Sequence, residues 1–143
     1  TAFLNEISEF VTAHSEKPGM GAEVRALGEA STALQRGAAS LMEYFMSGKI
    51  DQVTLVANPF LEVMADVTIA HLLLGAAIVA DEQRARDEDE PNQAEIDFYS
   101  GKVMAAKHFV NFILPTVHAK VGSIVSGDRS ALDIPDGGFS TAF

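Results

Sequence analysis

The most strongly patterned stretch of the chain begins at Asn58 and Pro59 and runs to Ala80. Proline costs little in the first turn of a helix, and Asn58 is a suitable cap, so a central helix is predicted to begin here. At about 100° per residue, one face collects mostly apolar residues: Phe60, Val63, Met64, Val67, His71, Leu74 and Ile78. The opposite face is polar for two turns and then apolar: Glu62, Asp66, Ile69, Leu72, Leu73 and Ala76. A helix with two apolar faces needs cover on both, so we expect its second half at the centre of the domain or under a partner.

A membrane span is the alternative interpretation of this helix. No charged side chain occurs from Val67 to Ala80. That stretch is shorter than the roughly 20 residues that a bilayer requires, and Asp66 and Asp81 bound it. We therefore expect no membrane span.

Other apolar positions recur at spacings of three and four, which predicts further helices and no strand. These helices cover residues 2–16, 22–47, 51–57 and 93–126, and the central helix continues to about Arg86. Pro18, Gly19 and Gly21 break the chain after the first helix, Gly48 suits the end of the second, and Pro115 should kink the last. The first helix places Phe3, Ile7, Phe10 and His14 on one side. The second has the seam Val24, Leu27, Ser31, Leu34, Ala38, Leu41 and Phe45. The last has the seam Ile96, Tyr99, Val103, Ala106, Val110, Ile113, Val117, Val121 and Ile124.

Together these elements predict one all-α domain over residues 1–143, an up-and-down four-helix bundle with a kinked last helix. Residues 87–92 combine clustered acids with a proline and are predicted to form a solvated loop. After Gly127 the tail is irregular, with enough apolar side chains to fold back, Phe139 and Phe143 among them.

Charge and composition narrow the possible functions. The net charge of -10 argues against binding to nucleic acid or to an anionic membrane, because a phosphate backbone needs a basic counter-surface. The chain has no cysteine, which excludes disulfides and thiolate catalysis and is compatible with the cytoplasm.

A search for catalytic and metal-binding patterns yields no catalytic residue and no metal ligand. None of the histidines follows an acidic residue by three positions, as di-iron bundles require, and residues 87–92 lack the spacing of a calcium loop. The Gly19-x-Gly21 pair has no strand before it and no third glycine, so we reject a phosphate loop. His71 is interpreted as a hydrogen-bonded core residue that His14 could approach, and His108 as exposed.

The charged side chains are also interpreted as structural or surface residues and not as functional ones. Glu62 and Asp66 lie one turn apart on the outward face near the predicted helix start, where acids favour the helix dipole. The cations that could meet a phosphate-bearing ligand are interpreted as ordinary surface residues: Arg84, Arg86, Lys102 and Lys107.

Short segments of the chain resemble the C-terminal helical extension of bacterial acyl-CoA dehydrogenases, the acetyl-CoA dehydrogenase C-terminal-like domain. The segments are Phe98-Tyr99-Ser100-Gly101-Lys102 through Phe109, Ile113-Leu114-Pro115, Pro59-Phe60-Leu61, Ala65-Asp66-Val67 and Val125-Ser126-Gly127-Asp128. The likeness is strongest from Asn58 to Asp128. Ala65 and His71 depart from it, since the family often has glycine and a large aromatic there.

The resemblance implies a longer parent chain, a cytoplasmic acyl-CoA dehydrogenase that uses FAD. In that chemistry a glutamate removes the acyl α-proton while a hydride moves to the flavin. The base and the flavin site of the family lie in domains N-terminal to this extension, so no catalytic residue and no cofactor are expected within these 143 residues. The resemblance thus implies an accessory domain that docks on the dehydrogenase body of its own chain or helps a homo-oligomer assemble.

A four-helix bundle normally leaves one face of each helix in water, and on the central helix both faces carry apolar residues. The apolar residues left over are the predicted docking surface: Ile69, Leu72, Leu73 and Ala76. The alternative function is a stand-alone bundle that binds an apolar ligand or a protein partner. Small residues of the second helix (Ala30, Gly37 and Ala38) would leave space for an apolar ligand. A cavity lined by Met64, His71 and Phe109 would indicate such a binding site. A self-contained enzyme is the least favoured reading.

Overall fold

The computed structural model describes residues 2–86 and 92–140, and every regular element within these ranges is a helix. The predicted all-α class is therefore confirmed for the described residues. The helices are α1 (Ala2–His14), α2 (Gly21–Met46), α3 (Ile50–Arg86), α4 (Gln93–His108) and α5 (Thr116–Val125). A π-helical turn (Phe109–Ile113) joins α4 to α5, and a 3-10 turn (Asp136–Phe139) lies in the tail. Residues 87–91 of the predicted loop, and Phe143 of the tail, lie outside the described residues.

α3 is longer than the sequence predicts. It is continuous over 37 residues with Pro59 inside it, so the predicted separate helix 51–57 and the predicted start at Asn58 are wrong. A proline inside a helix removes one backbone hydrogen bond and costs about 3 kcal/mol, but its fixed φ is itself helical. Val56 and Val63, on either side of Pro59, are 6% and 0% exposed. Burial of both segments against the same core holds them in line and offsets that cost.

A tight reversal joins α2 to α3. Gly48 has a φ of +73°, a left-handed conformation that glycine adopts without strain. The N–H of Lys49 donates to the carbonyl of Tyr44 at 2.9 Å, which closes the end of α2. The reversal sets α3 beside α2, and the end of α2 predicted at Gly48 is confirmed.

The kink predicted at Pro115 is confirmed, and a widened turn accompanies it. The N–H of Leu114 donates to the carbonyl of Phe109, five residues back, at 3.0 Å. Leu114 is 2% exposed, whereas the predicted core residue Ile113 is 38% exposed. Ile113 was therefore assigned wrongly, because the wider turn rotates Leu114 into the core in its place.

The core lies where α3 contacts α2, α4 and α5, and α1 packs on α2. The most enclosed side chains come from α1, α2, α3, the π-helical turn and α5: Ile7, Val24, Leu27, Val67, Leu74, Val110, Val117, Val121 and Ile124. Phe45, predicted on the seam of α2, is 59% exposed instead. The last turn of α2 meets the first turns of α3 at an open groove, which leaves that ring in solvent.

Polar contacts hold the start of the tail. The buried amide of Gln52 donates to the carbonyl of Asp128 at 2.9 Å, and Arg129 pairs with Asp51 at 2.7 Å. The hydrogen bond from Arg129, reinforced by the backbone N–H of Gln52, holds the pKa of Asp51 below its usual range. The same contact raises the pKa of Arg129. Further on, Leu132, Ile134 and Phe139 stay exposed. Up to residue 140, the tail is therefore attached by polar contacts and not by the predicted folding back of its apolar side chains.

Candidate docking surface

The predicted docking residues lie on the outer face of α3. Leu72 is 64% exposed and Ile69 is 41% exposed, and Ala76 is also exposed. Leu73 differs, because it is half-buried and packs against the core. Three of the four predicted docking residues therefore lie in solvent, and Leu73 packs against the core.

The exposed apolar surface extends well beyond these residues. Helical spacing places further side chains on the same outer face of α3, and we call the set the outer stripe: Leu61, Met64, Ile69, Leu72, Ala76 and Val79. Opposite it on the same helix lie Val63, Val67, Ala70 and Leu74, each fully buried. α3 is thus apolar all round, as predicted, but only its inner side is covered by the described part of the chain.

A niche separates the outer stripe from α4. One wall is formed by α3 and the other by α4: Gly75, Ala76, Val79 and Ala80 of α3, and Phe98, Tyr99 and Lys102 of α4. We call this pocket of about 320 Å³ the α3–α4 niche. Phe98 is 60% exposed and meets Tyr99 edge to face, with 5.6 Å between ring centroids. The ammonium of Lys102 lies 5.2 Å above the Phe98 ring, a cation–π contact.

A charged cluster bounds the outer stripe near its N-terminal end. Lys120 of α5 lies 2.9 Å from Asp66 and 3.2 Å from Glu62. The hydrogen bond to Asp66 is the main cause that raises the pKa of Lys120. The interpretation of the two acids as helix-dipole residues is therefore wrong, because α3 begins at Ile50, three turns earlier. They join α3 to α5, and no sequence spacing pointed to Lys120.

Three of the four histidines contact aromatic rings. His71 meets the rings of Phe10 and Phe3 edge to face, at 5.0 Å and 6.4 Å between centroids. His14 packs on the other side of Phe10 at 4.8 Å. The predicted hydrogen bond of His71 is absent from the described part of the chain, where aromatic contacts take its place. His108 is exposed, as predicted, and stacks on Phe112.

Small residues of α2 serve close packing. A side chain at Gly37 would come within 3.5 Å of Phe60 and 3.7 Å of Val121, so both already occupy the space beside it. Ala30 is fully buried, and Met64, proposed as a cavity wall, is 41% exposed on the outer stripe. The space expected for an apolar ligand is therefore filled by the protein itself at Ala30 and Gly37. Ala38, the third small residue, lines the open groove between the last turn of α2 and the first turns of α3.

The cations considered as phosphate ligands are dispersed among separate contacts. Lys107 approaches Glu23 at 4.0 Å, and Arg84 pairs with Asp81 at 2.9 Å. Lys102 caps Phe98, and Arg86 is exposed at the end of α3. Among the described residues, no three His, Cys, Asp or Glu side chains are grouped so as to hold a metal ion.

A second apolar patch was missed at the sequence level. Met42, Phe45, Met46 and Ile50 are all more than half exposed where α2 turns into α3. The spacing of four between Met42, Met46 and Ile50 is a signal that could have identified it.

By length and composition alone, α3 is also apolar enough to cross a membrane, with a mean hydropathy of 2.0 over its most apolar window. The core helix of a soluble protein meets the same criterion, and the inner side of α3 is core. This property is therefore only weak evidence for a membrane span.

Comparison with known proteins identifies one family. The family model described as "Acetyl-CoA dehydrogenase C-terminal like" matches residues 3–135, which include α2 to α5 and all of α1 except Ala2. No curated protein matches the chain significantly.

Proposed function

The chain belongs to the acetyl-CoA dehydrogenase C-terminal-like family, and from that premise we propose that it is an accessory domain of an FAD-dependent acyl-CoA dehydrogenase. In this proposal the domain docks on the dehydrogenase body of its own chain through the outer stripe. It supplies no catalytic residue and no flavin contact. The oxidation of the acyl thioester and the FAD belong to the body, and the enzyme works in the cytoplasm.

One observation carries the proposal, the exposed apolar outer face of α3. Full burial of a leucine or isoleucine side chain is worth about 1.5–3 kcal/mol. Leu72 is 64% exposed and Leu61 is 62% exposed, so much of that free energy is left to be gained under a partner. No charged side chain interrupts the surface from Val67 to Ala80, although the chain as a whole carries a net charge of -10. A charge-free strip on an acidic domain favours contact with another protein surface.

The packing of the helices supports a more specific arrangement. We propose that α1, α2, α3 and the kinked α4–α5 unit form an up-and-down four-helix bundle, in which α3 contacts the others with its inner side. This arrangement explains how a helix in the centre of the chain keeps one long face outside. Assembly of a homo-oligomer through the same face is the alternative use of the outer stripe.

The test is made on the full-length enzyme by small-angle X-ray scattering. Leu72→Glu places a charge at the middle of the outer stripe and should release the domain, which increases the radius of gyration. Met104→Glu is the matched control, because Met104 is 63% exposed on α4 and lies outside both the outer stripe and the niche. Both side chains are exposed, so neither change should unfold the domain. If Leu72→Glu leaves the enzyme as compact as Met104→Glu does, the proposed docking through α3 is wrong.

A further inference from the structure

We propose that the α3–α4 niche is the anchor point of the docked state. It receives one large apolar side chain of the dehydrogenase body, and Lys102 binds a carboxylate next to that side chain. The inference rests on the proposed function and specifies the chemistry of the partner: an apolar residue beside an aspartate or glutamate.

The walls of the niche suit the insertion of a side chain. Of the four α3 residues that line it, Gly75, Ala76 and Ala80 present almost no side-chain volume, and Val79 adds one larger apolar side chain. A methyl group added at Gly75 would meet no atom within 4 Å. Phe98 and Tyr99 supply aromatic surface on the opposite wall. The volume of about 320 Å³ is at the lower end of the range for ligand pockets, which fits one side chain better than an extended ligand. Aromatic anchors that fill such pockets dominate the binding energy of protein interfaces.

The positive charge of Lys102 specifies the residue that lies next to the inserted apolar side chain. Within the described part of the chain, Lys17, Arg25, Arg84, Lys107, Lys120 and Arg129 all lie within 4.0 Å of a carboxylate. Arg36, Lys49, Arg86 and Lys102 have no such partner there. Lys102 differs from the other three because it borders the α3–α4 niche. Its contact with Phe98 holds the ammonium at the rim of the niche. Insertion of an apolar side chain would exclude water from that rim, and a carboxylate then offsets the cost of desolvating the ammonium.

The experiment compares variants of the full-length enzyme by the same scattering measurement, with light scattering to report mass. Ala76→Phe fills the niche, and Lys102→Glu reverses the charge at its rim. Each should lower the ratio of docked to released domain roughly tenfold or more, because like charges or a blocked pocket oppose the same contact. Lys102→Arg keeps the charge and should stay docked. Lys49→Glu is the control for charge reversal, because Lys49 is exposed and has no carboxylate partner among the described residues.

The outcomes separate this inference from the proposed function. Release by Ala76→Phe and Lys102→Glu, with Lys49→Glu and Lys102→Arg compact, supports the anchor. Release by Leu72→Glu alone overturns the anchor and leaves the docking surface standing. If none of these variants releases the domain, both proposals fail. A loss of mass without a change in compactness of the single chain would overturn the inference in favour of a second copy as the partner.

Discussion

Gly21→Ala tests whether the turn between α1 and α2 depends on a close backbone approach. A methyl group at Gly21 would lie 2.4 Å from the carbonyl oxygen of Ser15 and 3.2 Å from the guanidinium of Arg25. Those two groups are themselves joined, since Arg25 donates to Ser15 at 2.6 Å. The Ser15 carbonyl oxygen belongs to the backbone, so it cannot move aside as the end of a flexible side chain would.

The expected net effect of Gly21→Ala is destabilisation by about 1–4 kcal/mol. Displacing the Ser15 carbonyl costs about 1 kcal/mol in its hydrogen bond with Arg25. Overpacking adds about 1–3 kcal/mol. The better helix propensity of alanine returns up to about 1 kcal/mol, and less than that in a first turn.

Thermal unfolding followed by circular dichroism measures this effect, and Gly101→Ala is its control. Gly101 is exposed within α4, and an added methyl group there meets nothing within 4 Å. The same substitution should therefore stabilise the protein by about 0.5–1 kcal/mol at Gly101. If both variants shift the melting temperature upward, the Ser15 carbonyl yields freely and the close-approach argument is refuted.

Three further predictions concern polar contacts. Tyr44→Phe removes the buried hydrogen bond from the tyrosine hydroxyl to the carbonyl of Ile124 (2.8 Å) and should cost about 1–2 kcal/mol in urea unfolding; an unchanged midpoint would mean that water replaces the hydroxyl. Lys120→Met should cost about 0.5–1 kcal/mol at neutral pH. Because the pKa of Lys120 is raised in the folded protein, its contribution to the free energy of unfolding is present below about pH 10.4 and lost as the pH rises further. Lys120→Met should therefore lose less stability than wild type in an alkaline titration. Parallel curves of stability against pH would contradict this. Because the pKa of Asp51 is lowered in the folded protein, its contribution to the free energy of unfolding is present above about pH 3.9 and lost as the pH falls below that value. Asp51→Asn should therefore reduce the loss of stability at acid pH. An unchanged loss would exclude the Asp51 carboxyl as a cause of acid destabilisation.

Much of the secondary structure follows from local pattern. The core faces of α1 and α2, the end of α2 at Gly48 and the kink at Pro115 depend on side chains only a few residues apart, so periodicity and turn residues are enough to predict them. The excess of apolar surface on α3 is also a local property. For that reason Ile69, Leu72 and Ala76 could be singled out as a docking surface before any contact was known, although their role there stays a prediction.

The errors have a common physical origin. Pro59 and Asn58 form a good helix start by local rules, but the buried positions of Val56 and Val63 make one continuous helix more stable. Glu62 and Asp66 then lie in mid-helix, where Lys120, more than fifty positions away, determines what they do. Ile113 and Leu114 are equally apolar, and only the geometry of the widened turn decides which of them is buried.

The sequence by itself determined the helical class, the inner faces of the helices and the apolar surplus of α3, because each depends on the order of neighbouring side chains. Tertiary structure alone decided that Met64 is left in solvent with the rest of the outer stripe and that α4 places Phe98 and Lys102 beside that stripe. Those properties depend on pairs of residues far apart in the chain, whose distances are set only when the helices pack.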